Sequence, residues 1–577
     1  MENNMERRAI EQAKNWVSNT YFDEADRLEI KKLLESNNTE ELVELFYKDL
    51  EFGTGGIRSI LGLGTNRINK YNIRKASQAL ASTVLDANQS KSIAISYDSR
   101  KFSYEFAKEA ASVFAGNGLE VYIYKRLNPV ALLSFSLRHH KCQAGIMVTA
   151  SHNPPEYNGY KVFWNDGAQV TPPNDQKIIS TYNELQDFNT IRYKDFDQGV
   201  SENLIHWVGK DVEDLYHQAI KSAYINKELC ETRGSELKII YTPIHGTGYV
   251  PCTRALDDIG LKNYQVVEEQ KLPDSNFPTV TSPNPENPEA LKMAVDLMLE
   301  SNADIVMGSD PDTDRLGVAV NCNGEVKYPN GNQIGILMLH YILTNLTEQG
   351  RLPKDAYFVK TIVTTNLQNK IATNFGVKGE TTLTGFKWIC GRMNEIEQQE
   401  PHRNFVFATE ESFGYLNHEY IRDKDGISPL TLMAEMTLWY KTQGMDLYQG
   451  LDKIYEQFGF HNETLLNLNY YGKEGADKIV RIMDKFRHLT LKEVCGQKII
   501  KIEDYNQEGT GLPKSNVLSY ELESGSKFFM RPSGTEPKIK FYIMISENEG
   551  TLANKKSKAE KLTKKLLTFI KKEADQA

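Results

Sequence analysis

Ala303-Asp-Ile-Val-Met-Gly308 runs straight into Ser309-Asp-Pro-Asp-Thr-Asp-Arg315, an apolar, β-branched run that breaks into an acidic loop. Such a run predicts a strand covered on both faces, with ligand chemistry beyond its carboxyl end. The same texture recurs three times. Ser92-Ile-Ala-Ile-Ser-Tyr97 leads into Asp98-Ser-Arg100, Ala144-Gly-Ile-Met-Val-Thr149 into Ala150-Ser-His-Asn153, and Phe405-Val-Phe-Ala408 into Thr409-Glu-Glu-Ser-Phe-Gly414. Amphipathic helical stretches lie between, at Lys75 to Asp86, Pro288 to Glu300 and Gly331 to Leu346. Strand alternating with helix predicts α/β units with parallel pairing, here three similar ones. The C-terminal part differs. Lys527 to Arg531 and Lys538 to Ile545 read as strands flanking a turn, and a basic helix from Asn554 to Glu573 carries Leu562, Leu566, Leu567 and Ile570 on one narrow side. That face suits packing on the chain's own sheet better than a membrane.

At roughly 150 residues per domain, 577 residues predict about four domains. Hydrophobic residues at 40% and charged residues at 25% exclude a disordered or fibrous chain. A net charge of −9 gives no general attraction for nucleic acid or anionic membrane, so an anionic ligand must be met by a local pocket. The six cysteines form no CxxC and read as reduced, mostly buried thiols. Met1 to Trp16 is charged rather than apolar, and the longest apolar stretch, Ile334 to Leu343, falls short of the ~18–20 residues of a membrane span. A cytoplasmic protein with neither membrane nor nucleic acid as partner is expected.

Four motifs carry chemistry. In Thr149-Ala-Ser-His-Asn-Pro-Pro-Glu-Tyr-Asn-Gly-Tyr-Lys161, Ser151 sits just past a strand end, either a nucleophile or phosphate carrier or part of a turn with local hydrogen bonds. His152 is its sequence neighbour, and adjacent side chains usually point apart, so a Ser–His dyad does not follow. Asp310-Pro-Asp-Thr-Asp-Arg315 offers three alternate carboxylates, a hard oxygen cage for a divalent cation. It is not an EF-hand: Arg315 stands where that loop needs Gly and Asn321 where it needs Glu. Arg531-Pro-Ser-Gly-Thr-Glu-Pro-Lys538 combines a guanidinium fork, two hydroxyls and Gly534, either a phosphate-binding loop or an ordinary hairpin turn. Thr409-Glu-Glu-Ser-Phe-Gly414, followed by Arg422-Asp-Lys-Asp-Gly426, offers acceptors for sugar hydroxyls or a helix cap. Gly53-Thr-Gly-Gly-Ile-Arg58 and Gly385-Phe-Lys387 each add a cation in a Gly-bearing loop.

Together these motifs resemble the α-D-phosphohexomutase family, in its long phosphoglucomutase/phosphopentomutase-like branch, from Phe52-Gly-Thr-Gly-Gly-Ile-Arg58 to Arg531-Pro-Ser-Gly-Thr-Glu536. The resemblance implies three similar α/β domains with mixed sheets plus a C-terminal α+β domain, arranged around a central cleft. Its boundaries here are 1-206 for a phosphoserine domain, 207-322 for metal, 323-455 for sugar and 456-577 for phosphate. It implies Ser151 as the phosphoserine, and Ser151 with Asp310, Asp312 and Asp314 around Mg²⁺, Arg315 adjoining them. Arg58, His152 and Lys161 match residues near the transferring phosphate, and a Lys161 of depressed pKa, or His152, would move the proton. Lys387, Glu410 and Ser412 match the sugar-binding set, and Arg531, Ser533, Gly534 and Thr535 the distal-phosphate loop.

The implied reaction interconverts glucose 1-phosphate and glucose 6-phosphate through glucose 1,6-bisphosphate, which is also the primer, with small phosphosugars as partners. Short family members carry Gly-His after their Glu-x-Ser, whereas this chain has Phe413-Gly414 and then Arg422 to Gly426, which brings Lys424 in as a further candidate base. Pentose or mannose phosphates on the same scaffold are the alternatives. A haloacid-dehalogenase-like phosphatase using Asp310 is a further one, but it leaves the Ser151 and Arg531 motifs without a role, and a non-catalytic sugar-phosphate binder would need no metal cage.

Overall fold

The computed structural model describes residues 2–36, 38–53, 55–470, 472–533 and 538–577. The chain forms two compact units, Met1–Tyr328 with Gly414–Glu435, and Pro329–Phe413 with Met436–Ala577. No helix among the described residues is long and apolar enough to cross a membrane.

In the first unit, helices Glu2–Ser18, Glu24–Glu35 and Thr39–Phe46 close over an aromatic cluster in which Trp16 stacks on Phe22 at 3.7 Å. The first sheet contains β1 (Gly56–Ile60), β2 (Ser92–Tyr97), β3 (Glu120–Tyr124), β4 (Ala144–Val148), β5 (Tyr157–Trp164) and β6 (Ile205–Val208), in the order β1-β5-β4-β2-β3-β6. Strands β4, β2, β3 and β6 run parallel, and every residue of β2 and β4 is buried, as helices on both faces demand. Strand β5 turns back antiparallel on β4 and pairs β1. The second sheet repeats the plan with β7 (Ile239–Thr242), β8 (Tyr264–Val266), β9 (Ile305–Ser309), β10 (Leu316–Cys322) and β11 (Glu325–Lys327). Its order is β11-β10-β9-β7-β8, parallel through β9, β7 and β8 and antiparallel from β9 to β10. The parallel pairing read from the apolar runs therefore holds at the centre of each sheet. At the Ser151 and Asp310 loops it gives way to hairpins, because a connection of a few residues can only reverse the chain.

In the second unit, β12 (Ala356–Thr361) pairs parallel with both β13 (Lys378–Thr382) and β14 (Asn404–Glu410). Strand β15 (Gly414–Leu416) already belongs to the first unit. The C-terminal sheet is antiparallel, in the order β16 (Phe460–Asn469), β21 (Lys538–Glu547), β20 (Lys527–Pro532), β19 (Leu518–Leu522), β18 (Gln497–Asp504) and β17 (Glu493–Val494). The closing helix, Leu552–Asp575, buries Ala559, Leu562, Leu566 and Ile570 against β16 and β21, so its apolar side faces the protein. A cap sets the start of one early helix: Asn69 accepts from the Tyr71 and Asn72 N–H groups, which starts the Lys70–Asp86 helix five residues before the expected Lys75. The six cysteines are thiols rather than disulfides, with Cys322 and Cys495 only half-buried.

Gly159 on β5 lets three strands approach. A Cβ there would lie 2.4 Å from the Thr149 carbonyl oxygen and 2.8 Å from that of Ile57. Gly159→Ala is expected to cost about 1–3 kcal/mol, read as a lower apparent Tm. An unchanged Tm would contradict this packing.

Candidate active site

Ser151 is the third residue of the β4–β5 connection, sits in the left-handed region at φ 52°, and is 2% exposed. Its N–H donates to Thr149 Oγ1 at 2.8 Å, and that hydroxyl donates to Asp98 Oδ2 at 2.6 Å. The turned backbone brings Ser151 Oγ to 2.7 Å from Asp310 Oδ2 and 3.2 Å from His152 Nδ1. Adjacent side chains part in extended or helical backbone; here the left-handed residue folds them together, which the sequence reading did not anticipate.

The β9–β10 hairpin is wound around Asp310. Its Oδ1 accepts the N–H groups of Asp314 and Arg315 at 3.0 and 3.1 Å, with Thr313 left-handed at φ 53°. Thr247 braces the loop, its N–H and hydroxyl both donating to the Pro311 carbonyl at 2.9 Å. Asp310, Asp312 and Asp314 are all buried, and one carboxylate oxygen from each lies within 4.8 Å of the others. Lys161 Nζ sits 2.7 Å from Asp312 Oδ2 and 3.1 Å from Asp314 Oδ2. Lys424 Nζ sits 3.2 Å from Asp314 Oδ2. Asp312 Oδ1 and Asp314 Oδ1 remain buried without a hydrogen-bond donor. Hard oxygens left without donors in a buried cage fit a divalent cation.

The electrostatics follow. Burial, then Asp312 and Asp314, push the Asp310 carboxyl well above its usual range. Burial would raise Asp314 as well, but Lys161 and Lys424 outweigh it and hold that carboxyl down. Burial disfavours the Lys161 ammonium, yet Asp312 and Asp314 raise its pKa. Lys161 is therefore held charged, which overturns the expectation of a depressed pKa. Burial, then Arg315 and Arg58, drive the His152 imidazole well below its usual range, so it is neutral. Arg58 donates to Asn153 Oδ1 at 3.0 Å, and Arg315 pairs with Glu286.

Lys424 arrives on the returning segment after β15. Gly426 N–H donates to the Thr313 carbonyl at 2.9 Å, Gln169 donates to Asp423 Oδ2 at 2.9 Å, and Asp425 receives the Tyr216 hydroxyl at 2.6 Å. A stretch that follows the Thr409–Gly414 loop in sequence thus lies at the aspartate cage in space. Sequence reading also missed Thr247 and Glu286; only their closeness to the loop in three dimensions marks them.

The second unit gathers the remaining candidates. Glu410 ends β14 and is buried, with Ser412 half-buried beside it. Between them Glu411, which the sequence motifs did not single out, receives the Thr361 and Thr364 hydroxyls at 3.2 and 3.4 Å. Burial raises the Glu411 carboxyl, partly offset by Lys540, Thr361 and Arg531. Arg531 on β20 lies opposite Lys540 on β21. Ser533 N–H donates to the Lys538 carbonyl at 2.8 Å. Gly534 and Thr535 lie outside the described residues. Lys387 opens the Phe386–Gln399 helix with its Nζ 5.2 Å from the centre of the Trp388 ring. Lys360, buried at the end of β12, donates to the Thr364 carbonyl at 3.0 Å and to Asn366 Oδ1 at 3.2 Å.

The models of phosphoglucomutase/phosphomannomutase alpha/beta/alpha domains I, II and III match residues 49–188, 214–324 and 330–458. The phosphoglucomutase of Staphylococcus aureus is 36% identical over 539 residues, covering 91% of this chain and 95% of that one. That of Staphylococcus saprophyticus is 34% identical over 528 residues, covering 89% and 94%. The open-form crystal structure of parafusin, a phosphoglucomutase from Paramecium, superposes with a TM-score of 0.67 at 17% identity, covering 92% and 96%. The chain belongs to the phosphoglucomutase/phosphomannomutase family, within the α-D-phosphohexomutase superfamily.

Burial pushes the Lys360 ammonium down to about 7, against about 10.4 in an unfolded chain. Between those values the unfolded chain binds the extra proton, so stability contributed here rises with pH. The apparent Tm of wild type minus that of Lys360→Met should grow from about pH 7 to about pH 9. A difference that stays flat would contradict the lowered pKa of Lys360.

Proposed function

We propose that this chain is a phosphoglucomutase that interconverts glucose 1-phosphate and glucose 6-phosphate, with Ser151 carrying the phosphoryl group between them. The observation that carries the reading is Ser151 Oγ at 2.7 Å from the carboxylate of Asp310, inside a cage of three aspartates and two ammonium groups. The full-length similarity to staphylococcal phosphoglucomutases supports glucose as the sugar.

In the forward half, the P–O bond at phosphorylated Ser151 breaks as one forms to the free sugar hydroxyl, giving glucose 1,6-bisphosphate. The hydroxyl proton passes to a base and Ser151 Oγ is left to be reprotonated or rephosphorylated. After the bisphosphate reorients, its other phosphoryl group returns to Ser151. Phosphoryl transfer rests on in-line positioning and on neutralising the equatorial oxygens. Asp310, Asp312 and Asp314, with a phosphoryl oxygen on Ser151, would hold Mg²⁺, which supplies Lewis-acid charge stabilisation when bound. Lys161 and Arg58 add cationic charge, and Arg315 is held beside the cage by Glu286. Neutral His152, 3.2 Å from Ser151 Oγ, is placed to exchange a proton with that oxygen, with Lys424 as the second candidate.

The remaining residues divide the substrate between them. Glu410, Ser412 and Lys387 would take sugar hydroxyls in the domain spanning 323–455. Arg531, Ser533, Gly534 and Thr535 would grip the phosphate that is not reacting in the domain spanning 456–577. The phosphoserine belongs to 1–206 and the metal cage to 207–322.

Protein taken from cells is expected to carry one phosphate, at Ser151 by peptide mass. Ser151→Ala should lose that phosphate and all conversion of glucose 1-phosphate, while Asp310→Ala keeps Ser151 as the phosphorylated residue. Phosphoenzyme that survives Ser151→Ala and disappears with Asp310→Ala would instead establish the aspartyl phosphatase. Arg531→Ala is expected to raise KM for glucose 1-phosphate, since losing one charge-assisted contact costs about 1.5–3 kcal/mol, roughly ten- to a hundredfold. An unchanged KM removes Arg531 from the phosphate grip.

A further inference from the structure

The Ser151 connection is held from beneath by one side chain that none of the motifs contains. Arg100 follows β2 and is 3% exposed. Its Nη2 donates to the Ser151 carbonyl at 2.6 Å and to that of Asn153; its Nη1 donates to the carbonyls of Pro154 at 2.8 Å and Tyr157 at 3.0 Å. Asp98 fixes the guanidinium in turn: its Oδ2 lies 3.5 Å from Arg100 Nε, and its Oδ1 receives the Arg100 N–H at 2.9 Å and the Ser103 hydroxyl at 2.8 Å. The same Asp98 Oδ2 receives the Thr149 hydroxyl that in turn receives the Ser151 N–H. Between the Ser151 and Asn153 carbonyls, that of His152 receives the Ser282 hydroxyl at 2.7 Å.

Both sides of the Ser151 residue are thus tied to one buried pair, its N–H through Thr149 and Asp98, its carbonyl through Arg100. Carbonyl dipoles that converge on a buried point repel one another unless a cation sits there. A guanidinium suits this point because its rigid fork reaches several acceptors at once, whereas a lysine presents its donors from a single nitrogen. The left-handed backbone at Ser151 is itself strained and persists only where its surroundings dictate it.

We propose that Arg100 is a positioning residue for phosphoryl transfer, fixing through Asp98 where the oxygen of Ser151 stands relative to Asp310. It touches neither the reacting atoms nor the cage. It sets the line along which the Ser151–phosphorus bond points at the incoming sugar hydroxyl. Loosening the clamp misaims the phosphoryl group at a bound hydroxyl, which cannot follow it, but not at water, which can. A misplacement of about 1 Å costs about a hundredfold in rate.

The inference rests on Ser151 as phosphate carrier, and the test separates the two. Wild type, Arg100→Lys and Asp98→Asn are loaded with phosphate from glucose 1,6-bisphosphate and mixed with glucose 1-phosphate in a single turnover. The readout is the share of Ser151 phosphate that reaches sugar rather than water. Loss of folded protein scales both fates alike, so a purely structural role leaves that ratio unmoved. Arg100→Lys should lower kcat about a hundredfold, leave KM little changed and shift the ratio toward water, with Asp98→Asn shifting it in the same direction. If Arg100→Lys does not fold, Asp98→Asn decides alone. Phosphorylated wild type with an unaltered ratio in the soluble variants overturns the role of Arg100 only. Wild type that takes up no phosphate at Ser151 overturns both.

Discussion

Three carboxylates crowded into one buried loop cannot all stay ionised unless positive charge is brought to them. Lys161 from β5 and Lys424 from the returning segment bring that charge to Asp312 and Asp314, while the Asp310 carboxyl is still pushed well above its usual range by burial and by its two neighbours, and one oxygen each of Asp312 and Asp314 lacks a donor. Much of the first unit follows from this need. The antiparallel return of β5 after the Ser151 turn carries Lys161 back to the cage. The chain re-enters after the third α/β segment, and Thr313, Gln169 and Tyr216 fasten residues 423–426 beside the aspartates. The net charge of −9 says nothing of this, because the deciding charges are few and buried together.

The strand ends and their loops were legible in the sequence because both are local. A fully buried strand needs an unbroken apolar run, and the runs at Ser92, Ala144, Ala303 and Phe405 match β2, β4, β9 and β14 to within a few residues. The closing helix was legible for the same reason: its apolar positions repeat at helical spacing and prove to be its buried side. The candidate site was legible in part. Motifs with dense chemistry stand out, so Ser151 and the three aspartates could be named from order and spacing.

What escaped is what depends on tertiary placement. Nothing around Lys424 says that it meets Asp314, more than a hundred residues earlier in the chain. Arg100 reads as one polar residue after a strand, and only the folded β4–β5 turn gives it four carbonyls to hold. The Ser151–His152 contact depends on one backbone angle. The charge state of Lys161 reverses from expectation, since carboxylates brought from another sheet outweigh its burial. In the second unit, Glu411 was hidden between two motif residues until the Thr361 and Thr364 hydroxyls gave it partners.

Every role proposed for the site depends on phosphate passing to sugar through Ser151 Oγ. Protein bearing radiolabelled phosphate on Ser151, mixed with unlabelled glucose 1-phosphate and quenched on the timescale of turnover, tests it directly. Label should leave the serine at least as fast as kcat and appear in sugar phosphates. Label that stays on the protein through many turnovers, or that leaves only as inorganic phosphate, would contradict it.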